Sequence, residues 1–244
     1  MANYELLRFA NAPELAREAA RQWLEELQLV QRYQTTRCYS VALAGGRIAG
    51  DFLSAAAELG KGRNLFRDVV HFFWGDERCV PPDDRESNYR LARERLLAPL
   101  CVPETQVHRI RGEEPPEKAA QLASEELCRV ALKDSRDTPL LDMVFLGMGE
   151  EGHVASLFPG EPPAQSGSKA MYRAVVTPKP PPHRVTLDYG PLAAARQVWV
   201  LVSGGEKEQA LKSSLASAES TPLGRVLASR ARTRVLTDLS VISP

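Results

Sequence analysis

The side chain best suited to proton transfer in this sequence is His153, which lies in the stretch LGMGEEGHVASLFPG, residues 146–160. Histidine has an unperturbed pKa of about 6.5, so it can take up and release a proton near neutral pH. The carboxylate of Glu151 comes two residues earlier. Three glycines surround this pair in G-x-G-x-x-G spacing: Gly147, Gly149 and Gly152. The spacing fits either a dinucleotide-binding loop or a tight turn that presents a general base beside backbone amides.

The residues after the third glycine argue against dinucleotide binding. A dinucleotide fingerprint requires a continuous helix there and an acidic residue about 20 positions further on, which binds the ribose hydroxyls. Pro159 and Gly160 would end such a helix early, and no Asp or Glu occurs between Glu161 and Asp188. We therefore expect a tight turn whose amides face an anion, with His153 opening a short helix.

Other recurrent catalytic motifs are missing from the sequence. It has no G-x-S-x-G nucleophile elbow and no G-x-x-x-x-G-K-[ST] phosphate loop. Its histidines are scattered without a His-x-x-x-His pair, and its cysteines lack a C-x-x-C pair, so we expect no metal, no cofactor and no disulfide framework. The remaining polar residues suit general-base hydrolysis or isomerisation of a small phosphorylated substrate.

Apolar runs of strand length alternate with amphipathic segments along the chain. The predicted strands span residues 38–44, 68–74, 140–146, 172–177, 183–189, 196–204 and 232–238. The predicted helices span residues 13–30, 50–59, 86–100, 115–132 and 206–215. Strands separated by helices favour parallel pairing, so we predict an α/β fold, a three-layer sandwich with a mostly parallel, Rossmann-like sheet. Residues 1–244 are treated as a single domain, because neither Pro-rich stretch, 159–169 or 177–183, is a convincing linker.

Polar clusters follow several of the predicted strands. They are the glycine pair at 45–46, GDER at 75–78, GMGEEGH at 147–153 and SGGEK at 203–207. In open parallel sheets the carboxyl ends of the strands face one crevice, where ligands bind. The sequence therefore predicts one site that contains Asp76, Glu77, Arg78, His153 and Lys207.

The overall composition excludes several classes of partner. Lys and Arg number 31, as do Asp and Glu, so the formal net charge of zero creates no field that favours nucleic acid or an anionic membrane. No apolar run approaches the roughly 20 residues that span a bilayer, and the first residues lack the pattern of a secretory signal. We expect a cytoplasmic protein without nucleic-acid or membrane partners, either a monomer or a weak homo-oligomer.

Three long blocks resemble the glucosamine-6-phosphate isomerase/6-phosphogluconolactonase family. They read FFWGDERCVPPDDRESNYRLARERLL, LDMVFLGMGEEGHVASLFPG and HRVTLDYGPLAAARQVWVLVSGGEKEQAL, in the family's order. The resemblance implies a glucosamine-6-phosphate-deaminase-like fold. It also implies a metal-free hydrolase that acts on a sugar phosphate lactone, 6-phospho-D-glucono-1,5-lactone, in the oxidative pentose phosphate pathway.

This resemblance suggests a role for each candidate residue. His153 would be the general base on water, Glu151 would orient it, and Arg78 would stabilise charge on the lactone or bind its phosphate. Asp76 and Glu77 would hold Arg78 in place. Phosphate ligands would be Gly45, Gly46, Arg184 and Lys207, and the oxyanion donors would be the amides of Gly147 and Gly149. Ser87 and Asn88 are expected to cap the helix that begins there.

The sequence departs from the family pattern at two positions in the site. The family usually has Asp before its Gly-His pair, whereas this chain has Glu151, whose carboxylate lies one methylene further from the backbone. The first glycine loop typically reads S-G-G-S/T-x-P and here reads AGGRIAG. Arg47 either replaces the lost hydroxyls as a phosphate ligand or points to solvent.

Two alternative functions fit the same architecture. A glucosamine-6-phosphate deaminase/isomerase continues its Gly-His block with an acidic residue, but here no carboxylate follows His153 until Glu161. The second alternative is a non-catalytic sugar-phosphate-binding protein, either a catalytically inactive relative or a sugar-phosphate-sensing regulator. A regulator would need a DNA-binding segment. The roughly 40 residues before the first predicted core strand show no helix-turn-helix pattern and no basic face.

Overall fold

The structure, a computed structural model, describes residues 3–33, 38–66, 69–135, 137–161, 170–217 and 220–241. The strands are β1 (Tyr4–Arg8), β2 (Tyr39–Leu43), β3 (Val70–Trp74), β4 (Asp76–Arg78), β5 (Met143–Gly147), β6 (Tyr172–Val176), β7 (His183–Leu187), β8 (Gln197–Val202) and β9 (Thr233–Thr237). The helices are α1 (Ala12–Tyr33), α2 (Arg47–Gly60), α3 (Asn88–Ala92), α4 (Pro116–Val130), α5 (Tyr189–Ala194), α6 (Glu208–Ala216) and α7 (Pro222–Ala228).

A six-stranded parallel sheet forms the centre of the molecule, in the order β1-β9-β8-β5-β2-β3. Its middle strands are apolar along their length because both faces are covered; all residues of β2, for example, are buried. The ring of Trp23 on α1 lies 5.6 Å from that of Phe52 on α2 and 5.1 Å from that of Phe145 on β5. These packed aromatic rings join the two helices to the sheet. The predicted α/β fold with a mostly parallel sheet is confirmed.

A second sheet departs from the expectation of parallel pairing. Strands β4, β7 and β6 form a three-stranded antiparallel sheet. The polar cluster GDER was expected only to follow a strand, but its last three residues form a strand of their own, β4, separated from β3 by Gly75 alone. The hydroxyl of Tyr172 on β6 donates to the carbonyl oxygen of Trp74 at 2.9 Å and so connects the two sheets.

Every predicted strand and helix appears in the structure with somewhat shifted ends, and the helix predicted over 86–100 continues beyond α3 as a π-helical turn, Arg93–Leu97. The elements that were not predicted, β1, β4, α5 and α7, are three to seven residues long. Segments this short do not complete enough of a period to be recognised in a sequence.

The prediction that His153 opens a helix is wrong. Residues 150–161 form turns and isolated bridges, with Val154 paired to both Met148 and Leu157. Ala155 has a φ of 50°, in the left-handed region, which interrupts a right-handed helix. This break lets the chain fold back beside the end of β5 and carry His153 with it.

Candidate active site

A cavity of about 120 Å³ lies at the carboxyl ends of β2, β3, β5 and β8. All the predicted site residues except Glu151 and Glu77 line it: Gly45, Gly46, Arg47, Asp76, Arg78, Gly147, Gly149, His153, Arg184 and Lys207. The parallel strands place these residues together because their following loops leave the sheet at one edge. The predicted convergence of the polar clusters is therefore confirmed.

Tight packing around the ring of His153 fixes its position in this cavity. The ring stacks on Phe158 with centroids 4.1 Å apart and an interplanar angle of 18°. A Cβ at position 149 would lie 2.0 Å from the Cε1 atom of His153, so only glycine leaves room for the ring. The Gly149 amide donates to the carbonyl oxygen of His153 at 2.9 Å. That amide is thus engaged within the turn, contrary to the oxyanion role predicted for it.

The contact between His153 and Glu151 determines the tautomer of the imidazole. The Nδ1 atom of His153 lies 3.0 Å from Oε2 of Glu151. Burial lowers the pKa of His153 below its usual range, and the nearby Glu151 opposes this effect only in part. Burial raises the pKa of Glu151, but hydrogen bonds from its own backbone N–H, Lys179 and His153 bring it down to about 2. Near pH 7 an ionised Glu151 therefore accepts Nδ1–H of a neutral His153, whose Nε2 is the basic nitrogen.

Lys179 is a site residue that the sequence analysis missed. Its Nζ lies 2.9 Å from Oε1 and 3.1 Å from Oε2 of Glu151. The two residues are 28 positions apart, and Lys179 lies in the loop 177–182 between β6 and β7. Only its isolated charge among prolines could have drawn attention to it.

The carboxylates of Asp76 and Glu77 serve as hydrogen-bond acceptors within the protein. The carboxylate of Asp76 accepts a hydrogen bond from Nδ2 of Asn88 at 3.1 Å and another from the hydroxyl of Ser156 at 2.6 Å. Glu77 is 2% exposed and accepts the backbone N–H groups of Arg78, Asn88 and Tyr89. Burial raises the pKa of Glu77 to about 7, against the lowering effect of these donors. Both residues therefore hold β4 against the start of α3.

The guanidinium of Arg78 is held by a different residue from those predicted. Its Nη1 donates to the carbonyl oxygen of Glu86 at 2.6 Å and lies 3.6 Å from Oε2 of that residue. Within the described chain, neither Asp76 nor Glu77 bonds the guanidinium. The Nε atom of Arg78 is buried and has no hydrogen-bond partner among the described residues.

Ser87 accepts the N–H of Arg90 as the predicted N-cap of α3. The side chain of Asn88 instead reaches the cavity, where a Cβ on Gly45 would lie 1.8 Å from its Oδ1 atom. The prediction is thus confirmed for Ser87 and incomplete for Asn88. Glycine is required at position 45 because the amide of Asn88 occupies the space beside it.

The candidates for phosphate binding differ in how many partners they already have. Helix α2 begins after Gly46 without a side-chain cap, so its first N–H groups face the cavity edge. Lys207 is half-buried, burial lowers its pKa, and no ion pair to its ammonium exists within the described ranges. Arg47 is 79% exposed and lies 3.3 Å from Glu206 at the rim. Arg184 is 4% exposed and donates to carbonyl oxygens of the loop 177–182.

Comparison with known proteins assigns the chain to a family. Residues 10–236 match the family described as glucosamine-6-phosphate isomerases/6-phosphogluconolactonase. The chain belongs to this family. It is 38% identical to human 6-phosphogluconolactonase over 193 residues, 78% of this chain and 73% of that one. It is 36% identical to 6-phosphogluconolactonase of Mycobacterium leprae over 208 residues, 75% of this chain and 84% of that one.

Solved structures of similar proteins have the same fold. The 6-phosphogluconolactonase of Trypanosoma brucei superimposes with a TM-score of 0.82 at 28% identity over 97% of each chain. A monomeric glucosamine-6-phosphate deaminase superimposes with a TM-score of 0.77 at 17% identity over 96% of each chain, which shows the shared fold alone. In this family member, no helix of the described residues is long and apolar enough to cross a membrane. Those residues also contain no group of three or more His, Cys, Asp or Glu that could hold a metal ion.

Proposed function

We propose that this protein hydrolyses 6-phospho-D-glucono-1,5-lactone to 6-phospho-D-gluconate, a step of the oxidative pentose phosphate pathway. The observation that carries the proposal is an imidazole in the cavity whose Nδ1 lies 3.0 Å from a carboxylate oxygen of Glu151. The names of the relatives support the same activity. A histidine in this arrangement is a general base for water.

The proposed reaction needs only water and the lactone. Nε2 of His153 takes a proton from water while the water oxygen attacks C1, forming a tetrahedral intermediate with a negative oxygen. The bond between C1 and the ring oxygen then breaks, and the imidazolium returns the proton to that oxygen. The product is the open-chain acid, and His153 is neutral again.

Three features of the cavity favour a substrate with a phosphate group. The uncapped N-terminus of α2 presents backbone N–H groups, which bind anions. Lys207 adds a cation without an ion pair in the described part of the chain. Arg78 adds a guanidinium whose Nε has no hydrogen-bond partner among the described residues. We place the phosphate between α2 and Lys207, and Arg78 neutralises either the phosphate or the intermediate's oxygen.

Among the residues that the structure describes, the site offers no free acid for the deaminase alternative. Glu161, the first carboxylate after His153, does not line the cavity and lies 2.8 Å from Nη2 of Arg173. Asp76 does line the cavity, but both of its carboxylate oxygens accept hydrogen bonds. An isomerisation that moves protons between carbon and oxygen would need a carboxyl group free to exchange a proton.

The deciding experiment generates the lactone in place with glucose-6-phosphate dehydrogenase and follows its loss. The proteins compared are the wild type, His153→Ala and His183→Ala, which changes an exposed histidine at the start of β7. We expect rapid loss with the wild type and His183→Ala and only spontaneous loss with His153→Ala. Spontaneous loss in all samples would refute the lactonase and favour a sugar-phosphate-binding protein. Full activity of His153→Ala would refute its role as the base.

A further inference from the structure

We infer that Lys179 is a positioning residue for the proposed hydrolysis: it anchors Glu151 so that this carboxylate holds the imidazole of His153 in one tautomer and orientation. The inference rests on the proposed function for its catalytic consequence. Its structural part, the control of the tautomer by Lys179, can be measured without any turnover.

The contacts of Glu151 give Lys179 this role. The ammonium lies within 3.1 Å of both carboxylate oxygens, and Oε2 is shared with Nδ1 of His153. Glutamate has one more rotatable bond than aspartate, so it samples more rotamers unless something restrains it. An ion pair to both oxygens supplies this restraint. The longer carboxylate of Glu151 and the position of Lys179 are thus parts of one arrangement.

Hydrogen bonds from the small sheet hold the loop that carries Lys179 in place. Arg184 on β7 donates from Nε to the carbonyl oxygen of Pro181 at 2.9 Å and from Nη2 to that of Lys179 at 3.2 Å. The hydroxyl of Thr177 also donates to the carbonyl oxygen of Lys179, at 3.1 Å. The backbone of Lys179 is therefore fixed by Arg184 of β7 and by Thr177 at the start of the loop, while its side chain extends to the loop after β5.

Lys179 differs in its surroundings from a substrate ligand. It does not line the cavity, its side chain is 43% exposed, and its charge is paired with Glu151. Lys207 has the opposite properties, because it lines the cavity without an ion pair in the described residues. The charged groups that act on His153 are Glu151, Asp76 and Lys179. Lys179 also contacts both carboxylate oxygens of Glu151, so it can act on His153 by fixing that carboxylate.

The test compares Lys179→Met with Lys179→Arg and with the control Lys133→Met. Lys133 is a matched control because its side chain is 41% exposed and its Nζ lies 2.9 Å from Asp137, away from the cavity. Steady-state kinetics give kcat and KM for the lactone. Imidazole ¹⁵N chemical shifts, assigned with His153→Ala, give the tautomer of His153. Circular dichroism verifies folding, and Lys179→Gln replaces Lys179→Met if the latter does not fold.

We expect Lys179→Met to lower kcat about tenfold with little change in KM, because a misoriented base weakens proton transfer rather than binding. Its His153 should become a mixture of tautomers, and the acid limb of its pH profile should move. Lys179→Arg should retain most of the activity and the single tautomer, and Lys133→Met should match the wild type.

Two results would overturn the inference. One is a Lys179→Met protein whose kcat and whose His153 tautomer are the same as in the control Lys133→Met. The other is an increase in KM at constant kcat, which would make Lys179 a substrate ligand. If the wild type has no lactonase activity, the proposed function is refuted. If the His153 tautomer nevertheless changes in Lys179→Met, the positioning by Lys179 remains supported.

Discussion

At the scale of single residues, the neighbours of His153 act on its proton affinity in opposite directions. Burial lowers its pKa, whereas the hydrogen bond and the negative charge of Glu151 raise it. The balance keeps the imidazole neutral near pH 7, as a general base requires. The same balance makes the pH dependence of the activity a direct test of the contact between the two side chains.

We expect kcat/KM of the wild type to fall at acid pH with a midpoint below about 6.5, the ordinary value for histidine. In Glu151→Gln the carboxylate that raises the pKa of His153 is gone, so the pKa falls and the midpoint moves to still lower pH, with a lower kcat. Initial rates across pH, corrected for spontaneous hydrolysis, measure both effects. A midpoint that moves to higher pH in Glu151→Gln would contradict the arrangement.

Gly149→Ala tests the space that the ring of His153 requires. The new Cβ would lie 2.0 Å from Cε1 of His153 and 2.8 Å from Oε2 of Glu151, so the ring must move. A displacement of about 1 Å in a catalytic group can reduce kcat roughly a hundredfold. Gly190→Ala is the control, because a Cβ there meets no atom within 4 Å. Equal activity of the two variants would show that the ring is not confined as described.

At the scale of elements, a buried carboxylate joins β4 to the start of α3. Glu77 on β4 accepts backbone N–H groups at the start of α3 and the hydroxyl of Ser87. This junction fixes the direction in which Arg78 leaves β4. The stability of the fold and the geometry of the site therefore depend on the same side chain.

Glu77→Ala should lower the free energy of unfolding by roughly 2–5 kcal/mol, because several buried N–H groups lose their acceptor. Glu58→Ala, which removes an exposed ion pair with Arg17, should change it by less than about 1 kcal/mol. Urea unfolding monitored by circular dichroism measures both values. A loss in Glu77→Ala no larger than that in Glu58→Ala would contradict the anchoring role.

At the scale of the whole molecule, the two sheets share one core. Tyr172 of the small sheet is buried and bonds Trp74 at the end of the large one, and its burial raises the pKa of its hydroxyl. The cavity is lined by Arg78 and Arg184 of the small sheet and by glycines at the ends of strands of the large one. Neither sheet builds the candidate site alone.

The shared core predicts a single cooperative unfolding transition, as for one domain. Tryptophan fluorescence reports on the large sheet through Trp74 and Trp199, and ellipticity reports on the helices. We expect the same midpoint from both signals and from the loss of activity. Separate midpoints would instead indicate two units that unfold independently, and the single-domain prediction would be wrong.

The sequence by itself determined five of the six strands of the central sheet, all but β1, and the sheet edge at which the candidate site lies. The alternation of strands and helices is set by local apolar periods, which depend on neighbouring residues only. Once the strands are parallel, their carboxyl ends must meet, and so Gly45, Asp76, His153 and Lys207 were correctly predicted to converge. Family membership was also evident from the long motifs around Arg78 and His153.

Only the tertiary structure decided which side chains pair within the site. Glu86 rather than Asp76 or Glu77 holds the guanidinium of Arg78, and Lys179 reaches Glu151 across 28 positions. The antiparallel sheet was not predicted, because β4 is too short to show a period. Such contacts depend on how loops from distant strands pack together, and the energy differences between alternative partners are small and spread over many residues. Periodicity in the sequence carries no information about them.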